Sequence, residues 1–172
     1  MKSIIAAFFL IILQSQFYSV TAHLSATISK KEITKLIGNW EGTLTYLDYT
    51  SNKPFTMPAD IDIKQIDGSN KFLFINSYPK ESNANSVDTF TISDDGKKIN
   101  DEIVTSNRVL KNGSLEIITE VSGTDGNENK PALIRHTYSI SENFFVMRKD
   151  IQFIGRKVWI KRHEYNYKKK FK

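Results

Sequence analysis

Four residues with chemistry to offer stand in phase with apolar neighbours. Along Trp40 to Asp48 the even positions are Trp40, Gly42, Leu44, Tyr46 and Asp48. Along Ile134 to Ile140 they are Ile134, His136, Tyr138 and Ile140. A strand turns alternate residues to one face, so Tyr46, Asp48, His136 and Tyr138 are expected to look into an apolar interior. A phenol, a carboxylate and an imidazole in such a place suit the orientation of a ligand's polar headgroup. They also suit a filled core whose polar tips reach a rim or a backbone partner. For His136 a hydrogen-bonded barrel position is the simpler role. A haem or metal site using His136 or His163 is an alternative.

Other chemistry lacks a motif. No Gly-x-Ser-x-Gly nucleophile turn occurs, and no phosphate-cradling glycine loop. The three histidines are scattered without paired metal spacing, so no metal or other cofactor is expected. Asp94-Asp95-Gly96 and Asp125-Gly126-Asn127-Glu128 do not fit a calcium loop and read as turns. An enzyme would need Asp48, Glu164 or His136 gathered at one place. The expectation is a non-enzyme.

The elements that must position these side chains are strands. Ser29-Lys30-Lys31-Glu32 is a capping box, and Ile33, Leu36 and Ile37 follow at helical spacing, so a short helix is expected from Lys30 to Ile37. Strands are then expected over Asn39 to Tyr49, Ala59 to Ile66, Lys71 to Tyr78, Val87 to Ile92 and Leu115 to Ser122. Ala132 to Ile140, Phe144 to Phe153 and Lys157 to Tyr167 complete the set, and Lys97 to Leu110 holds one long strand or two short ones. Pro54 and Pro58 bracket an expected loop, and Gly123 to Pro131 reads as the longest polar loop. Asn112-Gly113 is the strongest hairpin signal. Nine or ten strands with frequent turns imply a sandwich or barrel, and short links favour a closed up-and-down antiparallel β-barrel, an all-β fold of about eight to ten strands.

The ends bound the setting. Lys2, the apolar run Ile4 to Leu13 and the small residues Val20-Thr21-Ala22 read as a signal peptide over residues 1–22. The run is too short to span a bilayer, so no stable membrane anchor is expected after cleavage. The domain is then 23–172, exported to a periplasm or secreted. With no cysteine it carries no disulfide, which is ordinary for an exported bacterial protein. Net charge is +5, with a cluster at Lys168-Lys169-Lys170-Phe171-Lys172 that reads as a frayed, solvated tail. No nucleic-acid partner is expected, and the oligomeric state is open.

Gly38-Asn39-Trp40, between the short helix and the first strand, resembles the opening of the lipocalin and calycin group. The chain looks most like short exported bacterial lipocalin-like proteins. The second lipocalin signature is echoed by Thr124-Asp125, with Gly126 where a Tyr belongs. The resemblance implies that Gly38 and Trp40 close one end of the barrel and that an Arg on a late strand packs across the indole. Arg162 is the candidate, and placing it there brings Glu164 inside as well. The inward set Tyr46, Asp48, His136, Tyr138, Arg162 and Glu164 then frames a small apolar or amphipathic ligand, such as a fatty acid or other lipid. The other expectation is a non-catalytic module with a filled barrel that binds a protein or envelope component through its loops.

Overall fold

The computed structural model describes residues 26–48, 51 and 53–171. The expected signal peptide lies outside the described residues. A single helical turn, α1 (Lys30–Ile33), continues as a 3-10 turn (Thr34–Leu36). Eleven strands follow: β1 (Gly38–Asp48), β2 (Lys53–Pro58), β3 (Asp60–Gln65), β4 (Lys71–Ser77), β5 (Ser86–Thr91) and β6 (Lys98–Ile99), then β7 (Glu102–Val109), β8 (Leu115–Asp125), β9 (Lys130–Ile140), β10 (Phe144–Phe153) and β11 (Ile160–Lys169). They form one sheet in the order β5-β4-β3-β1-β11-β10-β9-β8-β7-β6, with every pairing antiparallel, and β2 pairs β1 off this path. The two ends of the path meet at the Ile92–Ile99 bridge. The result is an all-β, nearly closed barrel with a short helix at its entrance.

The helix is shorter than Lys30 to Ile37, because the chain tightens after Ile33 to bring Leu36 and Trp40 under the barrel end. Its start is as expected: Glu32 accepts from both the backbone N–H and the hydroxyl of Ser29, at 2.7 and 2.8 Å. Gly38 has φ +122°, a conformation that glycine adopts without strain, and this turns the chain sharply into β1. The expected Pro54–Pro58 loop is a strand. Its prolines are tolerated because β2 has β1 on one side only, which leaves its other edge without ladder bonds to lose. The expected polar loop from Gly123 shrinks to the turn at residues 126–129, since β8 runs on to Asp125.

Lys168, Lys169 and Lys170 are docked rather than frayed. Lys168 and Lys169 pair with Glu41 and Trp40 across β1. Lys170 donates to Asp60 Oδ2 at 3.2 Å, and its backbone N–H donates to the Asn39 carbonyl. Strand pairing on β1 holds this segment where composition alone points to solvent.

The core fills the helix-side end. Ile28, Ile33, Leu36, Trp40, Ile61, Ile63, Phe72, Phe74, Phe90, Ile117, Ile140 and Phe145 are buried together. Trp40 is 1% exposed and its indole N–H donates to the Leu36 carbonyl at 2.8 Å. Phe145 meets Trp40 and Phe74 edge-on and stacks on Tyr167. Each such ring buries a large apolar area, and edge-to-face pairs add about 0.5–1.5 kcal/mol beyond it.

Candidate functional site

Toward the other end the inward positions change character. On β8 the inward series Leu115, Ile117, Thr119 ends at Asp125; on β9 it includes His136 and Tyr138; on β10 it runs Phe145, Met147, Lys149, Ile151. Register pairs Lys149 with His136 on one side and with His163 on the other. Glu102, at the start of β7, comes in beside them.

Glu102 is the hub. Its carboxylate takes the Thr119 hydroxyl and the His136 Nδ1, with the His136 contacts at 2.8 and 2.9 Å. Burial works to raise the Glu102 pKa, but the bond and charge of His136, the Thr119 hydroxyl and Lys149 outweigh it. The carboxyl therefore sits below its ordinary value and stays ionised. His136 uses Nδ1 on Glu102, which fixes the ring and turns Nε2 away from it. His163 stands with its ring 6.5 Å from that of His136. Burial, then the positive charges of His136 and Lys149, push its pKa down to about 4 against a pull from Asp125, so it is neutral at pH 7. Tyr138 packs edge-on against Phe90. Burial, with the Glu102 charge beside it, holds the Tyr138 phenol protonated well above its ordinary range.

A second knot lies next to this one. Asp125 accepts from Arg162 Nε at 2.5 Å and from Lys149 Nζ at 3.4 Å, and both carboxylate and guanidinium are largely buried. Two cations on one acid leave the interior charge mixed, not acidic.

Met147, His136, His163 and Tyr138, together with Phe74, Phe90, Asn76, Asp88, Asn100, Glu102 and Tyr165, line a cleft of about 240 Å³. It exists because the wall is incomplete there. β6 is two residues long and the chain turns back at Asn100 into β7, so the upper part of β5 has no strand partner on that side. A larger groove of about 740 Å³ lies at the β8–β9 and β10–β11 turns, where Asp125, the 126–129 turn, Phe153, Ile154 and Arg156 line it. The smaller cleft is the candidate site, because among the described residues it gathers the His136 and His163 imidazoles with the Glu102 carboxylate.

The expected site residues divide. His136 and Tyr138 face inward and line the cleft. Tyr46 also faces inward, paired with His163, but its ring packs on Phe55 at the rim. Asp48 ends β1 and accepts from Ser51 at 2.8 Å, away from the cleft. Glu164 faces outward, where Lys161 and Asn166 donate to it at 3.5 and 3.3 Å. Arg162 does face inward, but at the end opposite Trp40. The cation over the Trp40 ring is Lys169, 5.0 Å from its centroid. The cause is a bulge: Lys149 pairs with His163 and Asp150 with Lys161, so the register steps over Arg162. The two residues of a bulge turn to the same side, so Arg162 and His163 both enter the barrel and Tyr165 and Tyr167 follow inside.

Glu102, Asp125, Lys149 and His163 are the site residues that alternation alone did not single out. Lys149 was visible as a charge in phase with Phe145, Met147 and Ile151, and Asp125 extends the phase of Leu115, Ile117 and Thr119. His163 carried no such signal, because the bulge reverses its phase.

No protein-family model matches the sequence, and no curated protein matches it either. Among solved structures the fold is similar to the crystal structure of Rv2717c from M. tuberculosis, at 10% identity and a TM-score of 0.50, covering 85% of this chain and 100% of that one. A DUF3598-family protein of unknown function from Nostoc punctiforme aligns at 11% identity and a TM-score of 0.45, covering 85% of this chain and 51% of that one. This chain thus spans about half of the second protein. The first likeness shows a shared barrel fold, which fits the calycin-like layout.

Proposed function

We propose that this protein is an exported binding protein for a small amphipathic molecule, held in the cleft between β5 and the β7–β9 wall. The observation that carries the reading is the makeup of that cleft. Phe74, Phe90 and Met147 offer an apolar wall, and His136, His163 and Asn100 offer hydrogen-bonding groups to fix a polar head. At about 240 Å³ it falls below the 300–1,000 Å³ usual for drug-sized ligands. The helix-side core of Trp40, Phe72 and Phe145 is closed by fully buried side chains, which leaves no channel for a long acyl chain. Within the lipid-like class, a short or compact ring-bearing ligand fits best.

Binding is favoured over catalysis by the hydroxyl that shares Glu102 with His136. Thr119 donates to Glu102, not to His136, so it is not set up as an activated nucleophile. Export is supported by the leader and by the plug: cleavage after Ala22 keeps Ile28, Ile33 and Leu36, which seal the barrel. The outward residues Asp62, Lys64, Arg148, Lys161 and Glu164 are charged, unlike the lipid-facing band of a membrane barrel.

The test is native mass spectrometry of the purified protein, followed by titration with a naphthalene dye. A co-purifying small molecule or saturable dye uptake is expected, and Met147→Trp, which fills the cleft, abolishes both. Absence of both signals in the unaltered protein, or indifference to Met147→Trp, overturns the reading in favour of a filled module acting through its loops.

A further inference from the structure

The cleft leaves one feature at the same end of the barrel unused. Between β10 and β11 the chain runs Ile154-Gly155-Arg156-Lys157-Val158-Trp159. Ile154 and Val158 are each 70% exposed, and Arg156 and Lys157 stand exposed between them. Among the described residues neither cation has an ion-pair partner.

Local bonds hold the loop in place. The Ile154 N–H donates to the Pro131 carbonyl at 3.1 Å, and the Arg156 N–H closes a turn on the Phe153 carbonyl at 2.9 Å. At the shoulder the Arg135 guanidinium lies 3.8 Å from the centroid of the Trp159 ring, and Arg135 is itself held by Glu120 at 2.6 Å. The aliphatic tips are therefore presented by a turn anchored at its base.

Two aliphatic tips alone would suit any apolar groove. Free cations between them narrow the choice, because an apolar protein groove would have to desolvate both. An anionic bilayer surface satisfies each part at once. Its acyl boundary takes the aliphatics, its phosphates take Arg156 and Lys157, and its headgroup layer is where indoles settle. The surrounding charge agrees. In the loops and strand ends at this end, Lys53, Lys80, Lys130, Arg156 and Lys157 outnumber Asp48, Glu81, Asp125 and Glu128, and the Lys130–Glu128 ion pair at 2.6 Å leaves that excess unchanged.

We propose that the β10–β11 loop docks this protein on the surface of an anionic lipid bilayer. The proposal is independent of what occupies the cleft.

The test uses the chain from His23, since the barrel and its plug lie within 26–171 and the apolar leader would itself bind lipid. Vesicles of phosphatidylglycerol mixed with phosphatidylcholine are compared with vesicles of phosphatidylcholine alone, by co-sedimentation and tryptophan emission. Trp40 is buried, so a blue shift reports Trp159, and Trp159→Phe removes it. Binding to the anionic vesicles is expected, with little to the neutral ones. Arg156→Gln with Lys157→Gln weakens it about 30-fold. Ile154→Asp with Val158→Asp abolishes it, and both pairs leave the melting transition in place. No binding to anionic vesicles, equal binding to neutral ones, or binding indifferent to both pairs overturns the proposal.

Discussion

On β10, Phe145 is fully buried against Trp40, Phe74 and Tyr167, while four residues on Lys149 stands over Asp125 between two histidines. Both face the same interior on the same strand. The helix side of that interior is packed by rings and aliphatics and sealed by Leu36 and Trp40. The far side is held by ion pairs and hydrogen bonds and opens through a gap in the wall. The difference teaches that one barrel divides its labour along its axis. Dispersion and apolar burial sustain the fold at one end, and the other end can carry polar groups that a purely structural core would not need.

If that division is right, the largest effect comes from the packed end. Trp40→Ala should cost about 3–5 kcal/mol, as large-to-small changes in filled cores do, and it also leaves the Leu36 carbonyl without its donor. Urea unfolding measures it. A loss below about 1 kcal/mol would mean that the plug is not what holds the barrel.

The polar end is expected to respond differently to two kinds of change. Arg162→Met alone leaves Asp125 buried with only Lys149, and should cost about 3 kcal/mol. Replacing all three, Asp125→Leu with Lys149→Met and Arg162→Met, should restore stability to within about 1 kcal/mol of the unaltered protein, because an apolar set of similar volume escapes the desolvation penalty. Dye binding in the cleft, measured alongside, should fall. A triple variant as unstable as the single one would show that the charges carry the fold here too, and the contrast between the ends would dissolve.

A pH titration sharpens the contrast further. The folded-state pKa of His163 lies at about 4, below its unfolded value of 6.5. Between these values the unfolded chain binds the proton and the folded one does not, so stability falls as pH drops from 6.5 toward 4. The loss attributable to His163 is roughly 2–3 kcal/mol. Glu102 acts lower: its depressed pKa contributes stability present above about pH 4.5 and lost as pH falls through the folded value. His163→Gln should flatten the upper part of this decline and leave the lower part. Changes at the packed end should leave the pH profile unaltered in shape.

How much of this was legible in the sequence also differs between the ends. At the packed end, the capping box, the Gly38 turn and the alternation through Trp40, Ile61, Ile63, Ile117 and Phe145 all speak for one arrangement, and the strands follow them closely. At the polar end, alternation places His136 and Tyr138 correctly and then fails on β11. A bulge changes phase without changing composition, and nothing in Lys161-Arg162-His163 announces one. The phase there was set by the expectation that Arg162 covers Trp40, which carried Glu164 inside and His163 outside. The turn at Asn100 that shortens β6 and opens the wall is equally silent, since only the pairing of distant strands shows that β5 has lost its neighbour.

The cation on Trp40 gives the smallest and most exacting case. The resemblance to lipocalins implies an arginine across the indole, and the chain places Lys169 there instead, on the strand position directly opposite Trp40. The ammonium also reaches the Lys35 carbonyl at 3.4 Å, so it ties β11 to the plug. An exposed cation–π contact is worth about 0.5–1 kcal/mol, whereas the apolar surface that Trp40 removes from water is worth several times that. Lys169→Met keeps the stem that covers the ring and removes only the charge, and should therefore cost no more than about 1 kcal/mol. Lys169→Ala removes the stem too and should cost more. If Lys169→Met were as harmful as Trp40→Ala, the packed end would depend on a charge after all, and apolar burial could no longer be what distinguishes it from the end that holds Asp125 and Arg162.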